Sequence, residues 1–215
     1  MFQQMVNRNY TTGFPGEFYM MGPHRGKVAR IMSATVGVDP GLSTNRISRA
    51  FGWSGEQGEM GDVAGGAMYS TYAAMEEQVE VGAPTFFGIL GNPKRYALLG
   101  TNNGGPLAAS LDLPMGYEGE FYDMATGFIA ELFNETTGTK ATAYGDQVAY
   151  VMNTITALQN PNALPYGALI SVPAGGAAPA GTVIIPNARV TNAQSLAASA
   201  PGDVISGYTI IQLTQ

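Results

Sequence analysis

The stretch that most limits how this chain can fold is residues 84–150, where short aromatic and aliphatic runs alternate with glycine-rich punctuation. Thr85-Phe86-Phe87-Gly88-Ile89-Leu90 leads through Gly91-Asn92-Pro93-Lys94 into Arg95-Tyr96-Ala97-Leu98-Leu99. Two such runs around a Gly/Asn/Pro cluster predict a β-hairpin. Residues 119–124, 127–133 and 145–151 repeat the grammar, each about as long as an ordinary strand and fenced by Gly, Asn or Thr. This is the densest apolar and aromatic interval, so it is expected to hold the core. It carries no cluster of reactive side chains, which points away from catalysis.

The rest of the chain fits around that interval. Residues 1–26 are irregular, rich in Asn, Gly and Pro, yet interleaved with Phe2, Tyr10, Phe14, Phe18, Tyr19, Met20 and Met21. A solvated tail seldom carries so many large apolar groups, so an extended arm lying on a surface is expected. Residues 27–36 read as a first strand. Residues 45–53 read as an edge strand, because Arg46 and Arg49 fall on opposite faces and charge there discourages stray pairing. Residues 54–76 read as a long surface loop. The last fifty residues give strands at 168–172, 182–185, 188–191 and 208–213. About a dozen strands with turn signals every ten residues predict an all-β, jelly-roll-like β-sandwich over residues 27–215, with an extended arm and long loops.

Composition sharpens the class. Only 12% of residues are charged, while Gly and Pro together supply 42 of 215. That charge fraction is about half the usual one. It suits a surface largely covered by neighbours, since a lone domain keeps more charge. There is no cysteine, so neither a disulfide framework nor a thiolate metal site exists. No apolar run approaches a membrane span, and the first residues lack the layout of a secretory signal. Synthesis in the cytoplasm is therefore expected. Charge is uneven: residues 1–50 hold six basic and two acidic side chains, a net of +4, and the remainder carries −10. A basic front on an acidic body results.

Searches for chemistry return little. His24, the only histidine, sits in Gly22-Pro23-His24-Arg25-Gly26-Lys27, which reads as a turn. No Gly-x-Ser-x-Gly elbow accompanies it. The same segment approximates a phosphate loop but is one residue short between its glycines, and Val28 stands where a hydroxyl is needed. Glu118, Glu120 and Asp123 form a carboxylate group beside Phe121 and Tyr122, but acids alternating with aromatics also describe a half-exposed strand. No calcium loop is present. Six cations over fifty residues are too thin for nucleic acid on a chain otherwise acidic. The expectation is a protein that is not an enzyme, with no cofactor or metal and no nucleic-acid or membrane partner.

Several blocks taken together resemble a known family. They are Val6-Asn7-Arg8-Asn9-Tyr10-Thr11-Thr12-Gly13-Phe14-Pro15-Gly16-Glu17, Asn45-Arg46-Ile47-Ser48-Arg49-Ala50-Phe51-Gly52 and Phe86-Phe87-Gly88-Ile89-Leu90-Gly91-Asn92-Pro93-Lys94. Glu118-Gly119-Glu120-Phe121-Tyr122-Asp123-Met124, Tyr144-Gly145-Asp146-Gln147-Val148-Ala149-Tyr150-Val151 and Ile185-Pro186-Asn187-Ala188-Arg189-Val190 follow in the same order. In this order the chain resembles the structural cement, or head decoration, proteins of tailed bacteriophages, the family of a Bordetella phage's capsid cement protein. The resemblance implies a jelly-roll sandwich on the outside of an assembled head. It also implies a homo-oligomer, dimer or trimer, that clamps neighbouring major capsid proteins without cofactor or reaction. On that expectation Arg8, Arg25, Lys27, Arg30, Arg46 and Arg49 would meet acidic capsid surface, and Tyr10, Phe14 and Phe18 would anchor in apolar pockets. The competing expectation is a carbohydrate- or receptor-binding sandwich using Trp53, Tyr69, Tyr72 and Tyr117 as stacking platforms.

Overall fold

A computed structural model describes residues 15–19, 22–32, 45–56, 77–92, 113, 118–136, 141–154, 164–192 and 209–214. These form ten strands in chain order: β1 His24–Ile31, β2 Ala50–Glu56, β3 Glu77–Val81, β4 Phe86–Leu90 and β5 Glu118–Ala130. β6 Leu132–Phe133, β7 Gln147–Val151, β8 Leu169–Val172, β9 Thr182–Val190 and β10 Thr209–Leu213 complete the set. No helix occurs among the described residues, and the expected all-β, sandwich-like class is what these strands build.

β5 organises the molecule. Its first half pairs antiparallel with β1 on one edge, from Arg30 opposite Glu118 to His24 opposite Ala125. β4 occupies the other edge at Phe121 and Tyr122. Its second half takes β10 on the β4 edge, Thr209 opposite Ala130, and residues 16–19 on the β1 edge. Both edges of this thirteen-residue strand thereby find partners in each half, as the backbone groups of a buried strand require. Residues 119–124 and 127–133 are therefore not two strands, as the sequence suggested. The ladder runs through Gly127, whose φ of +70° a glycine adopts without strain.

The strand order β1-β3-β2-β4-β5 closes on itself because β5 also pairs with β1. From β5 the order continues β10-β9-β7-β8-β6, and β6 is separated from β5 by Glu131 alone. Ser48 explains that break. Its hydroxyl accepts the Glu131 amide at 3.0 Å, removing that amide from any ladder. Ser48 is buried with φ +66°, and it interrupts the strand expected over residues 45–53. Pairing begins at Ala50, and β2 lies between β3 and β4 rather than at an edge. β2 also runs through Glu56, into what read as loop; residues 57–76 lie outside the described residues. β3 was passed over in the sequence, although Gln78, Val79, Glu80 and Val81 alternate as a half-buried strand should.

Two further boundaries shift. β1 opens at His24, inside the segment read as arm and turn, because β5 offers a template three residues earlier than local patterning suggests. Residues 182–185 and 188–191 merge into β9, which passes Pro186 and carries Asn187 at φ +56°. Residues 95–99, the second arm of the expected hairpin, lie outside the described residues. The partners found for β4 are β2 and β5.

Two cores fill the structure. One joins Phe51, Val79, Phe87 and Phe121 of the closed ring to Ala149, Val151, Ile170 and Val172. The other gathers Tyr122, Phe128, Val148, Tyr150, Leu169 and Ile211. Alternate residues of β7 enter different cores, so that strand is buried on both faces. The Tyr150 hydroxyl donates to the Ala83 carbonyl at 2.8 Å in full burial, and burial pushes its pKa up to about 12 from 10.0. A phenol whose folded pKa is raised stabilises the fold fully below pH 10 and loses that contribution as pH climbs through 12. The swing is about 2–3 kcal/mol. Tyr150→Phe is expected to cost about 1–2 kcal/mol at neutral pH through the orphaned carbonyl. Its deficit against the parent should shrink and invert between pH 10 and 12 in urea titrations. A constant deficit would show that the phenol does not control alkaline unfolding.

Candidate functional site

β1 leaves a run of its edge without a described partner. It pairs with β3 only at Arg30 and Ile31, with Met32 N–H donating to the Val79 carbonyl just beyond. Strand alternation turns the amides and carbonyls of Val28 and Gly26 toward that same edge. Residues 24–28 thus present a short strip of backbone flanked by side chains of mixed character. Val28 is 56% exposed and Tyr19, just before β1, is 58% exposed. With Tyr144 they are the exposed large apolar side chains of the described residues.

The opposite face of this strip carries a charged cluster. Arg25 Nε donates to Asp123 Oδ1 at 2.8 Å, its Nη2 reaches Oδ2, and Lys27 Nζ lies 2.7 Å from the same Oδ2. Lys27 also sits 5.1 Å from the centre of the Phe87 ring. Burial opposes charge on Asp123, but the hydrogen bonds from Arg25 and Lys27 and their positive charges outweigh it. Its carboxyl is held below its ordinary value. The two cations remain more than a third exposed on their side chains, so solvent screening leaves each pair little weight in stability. His24, also exposed, donates from Nδ1 to the Gly22 carbonyl at 2.9 Å, and its ring centre is 5.0 Å from that of Phe18.

The structure divides the residues that the sequence grouped as contacts. Arg25 and Lys27 come together at β1, and Arg30 is half-buried directly across from Glu118. Arg46 is drawn to Glu131, with Nε 3.8 Å from Oε2. Arg49 is a correction: it is 3% exposed, with its guanidinium 4.3 Å from the centre of the Phe133 ring, and cannot serve an outer surface. Turn geometry at Ser48 swings it inward. Phe18 is a second correction, since it packs edge-on against Tyr122 and Phe128 of its own sheet. Arg8, Tyr10 and Phe14 lie outside the described residues. Tyr19 and Val28 were missed as contacts. Tyr19 carried a signal only as one of the arm's aromatics, and Val28 as an apolar residue on the solvent side of a strand between Lys27 and Arg30.

Other chemistry finds no support in the geometry. Asp123 is occupied by two cations, and the register sets Glu118 and Glu120 opposite Arg30 and Val28. Among the described residues, no group of three or more His, Asp or Glu side chains could hold a metal. Asp146 and Ser171 are hydrogen bonded at 2.8 Å, but the same carboxylate oxygen also accepts the Ala143 amide and closes a turn. Trp53 is half-buried, edge-on to Phe87 at 4.8 Å, and is not a free stacking platform. Tyr69, Tyr72 and Tyr117 lie outside the described residues. No described helix is long and apolar enough to cross a membrane.

Fold and site together define an all-β protein whose strand β1 presents an open edge among the described residues. No family model matches the chain, and no curated protein matches it.

Proposed function

We propose that this protein is a decoration, or cement, protein of a tailed-phage head. It would bind the outer surface of the assembled shell and clamp neighbouring capsid proteins. The observation that carries the reading is the β1 strip: exposed Val28 on one face and Arg25 and Lys27 on the other, along a backbone edge without a described partner. Tyr19 adds an exposed aromatic farther along β5, opposite Gly127, and apolar, aromatic and cationic side chains of this kind are found at interface hot spots. The sequence resemblance and the low overall charge support the same assignment. Binding that favours the assembled shell stabilises it by linkage. Many copies then multiply a modest contact through avidity. The virion is the proposed location, and major capsid protein and further copies of this chain the proposed partners.

Cosedimentation with assembled heads tests this. Tyr19→Ala and Val28→Ser are each expected to weaken binding by about tenfold, the 1.4 kcal/mol of a moderate hot spot. Both positions are exposed, so melting curves should stay within a few degrees of the parent. Unchanged binding by both variants would remove the β1 strip from the interface. Binding of the isolated protein to a glycan array, without binding to heads, would favour a carbohydrate-recognising module instead.

A further inference from the structure

Residues 15–19 form a short extended segment on the β5 edge, joined to it by an isolated antiparallel bridge between Phe18 and Phe128. Gly16 N–H donates to the Ile129 carbonyl at 2.8 Å, and Ile129 N–H donates to the Glu17 carbonyl at 2.8 Å. Tyr19 N–H donates to the Gly127 carbonyl at 2.7 Å, and Asn92 N–H to the Gly16 carbonyl at 2.9 Å. One side chain adds to this ladder. The Phe18 ring stands nearly perpendicular to Tyr122 at 4.8 Å and to Phe128 at 5.7 Å.

The connection to β1 contains slack. Tyr19 lies beside Gly127 and His24 lies opposite Ala125, so the first segment advances five residues while β5 advances two. Three surplus residues span about 10 Å when extended. Pairing of β1 begins at His24, immediately after Pro23, which has no amide to lose. The short segment can therefore lift away without dismantling β1.

We propose that residues 15–19 exchange between copies of the chain, each copy's segment docking on the β5 of a neighbour. The occupant follows from the docking site itself. The edge at residues 127–129, with the Phe128 and Tyr122 rings, is already complementary to this segment, so an identical segment from a second copy makes the same bonds. Exchange conserves those contacts, and the balance is set by concentration and by the tether. Opening the arm exposes Phe18 and the Gly127 and Ile129 backbone groups. An equivalent segment from a second copy covers both again with the same bonds and ring contacts. The inference goes beyond the capsid reading and does not depend on it.

The native chain has no cysteine, so the test is clean. Tyr19→Cys and Thr126→Cys are combined in the full chain, concentrated, and separated by size into monomer and oligomer. A short bismaleimide is then added to each fraction. Denaturing gels should show covalently joined chains from the oligomer and only internal links from the monomer. Internal links alone in the oligomer, or monomer throughout the soluble concentration range, would overturn the exchange. Phe18→Ala supplies a second readout. Because the closed and exchanged forms share the Phe18 contact, it should leave the oligomer's dissociation constant within about twofold but speed interconversion of isolated monomer and oligomer at least about tenfold, by easing release of the arm, with strand content by circular dichroism retained. An interconversion rate indifferent to Phe18→Ala would show that the oligomer is built on another surface. No heads are used, so failure here leaves cosedimentation to judge the capsid reading separately.

Discussion

Gly167→Ala is expected to destabilise the protein by about 2–5 kcal/mol, one of the two largest effects of any single substitution considered. Four chain segments cross at this point. Ala50 N–H donates to the Gly167 carbonyl at 2.9 Å, and Gly167 N–H donates to the Val151 carbonyl at 2.8 Å. Gly82 N–H donates to the Ala50 carbonyl at 3.0 Å, and Asn153 N–H donates to the Gly82 carbonyl at 2.8 Å. These bonds tie β2 and the end of β3 to the end of β7 and the start of β8. Gly167 has φ +70°, costing an alanine about 1–2 kcal/mol. A Cβ there would also press on the Ala50 carbonyl oxygen and lie 2.7 Å from Val81 Cγ2. The Ala50 backbone cannot yield without breaking its own bonds, and such overpacking costs about 1–3 kcal/mol more. The melting temperature should fall by roughly 10 °C. Gly145→Ala is the control, with φ +89° but nothing within 4 Å of the new methyl, and should cost only about 1–2 kcal/mol. Equal losses for the two variants would mean that the crossing is not rigid.

Phe121→Ala should cost about 3–5 kcal/mol, as deletion of a fully buried aromatic does. Phe121 has no exposed surface, and its ring is 5.0 Å from Phe51 and 5.6 Å from Phe87. Its backbone pairs with Lys27 of β1 on one side and Leu90 of β4 on the other. A cavity there loosens the point where the ring closes, so loss should appear as a lower urea midpoint with a similar slope. Tyr144→Ala, at a side chain 77% exposed, is the comparison and should stay within about 0.5 kcal/mol. Similar midpoints for both would contradict the placement of the core on β5.

Much of this architecture is legible in the chain. The aromatic runs around Phe86, Phe121 and Tyr150 mark strands because buried pleated surfaces favour such residues, and all three positions lie in strands. Less legible are features fixed by partners distant in sequence. Gly127 reads as a boundary, yet β10 on one side and residues 16–19 on the other carry the ladder through it. Arg49 looks like a surface cation because nothing local reveals that Ser48 takes a left-handed turn and aims it at Phe133. The same limit applies to the site. Arg25 and Lys27 stand out by charge, but their common anchor Asp123 lies nearly a hundred residues away, and only the β1–β5 register joins them. Exposure of Tyr19 and Val28 is a property of the assembled edge, with no motif to announce it.

If the β1 strip is the surface this protein uses to grip a shell, hydrogen exchange on decorated heads reads it directly, strand by strand. Amides of residues 24–28 are predicted to gain protection on binding, while the turn bearing Tyr144 exchanges as in the free protein. Protection of the Tyr144 turn with residues 24–28 unchanged would place the contact on the wrong side of the molecule, and no protection anywhere would end the cement assignment.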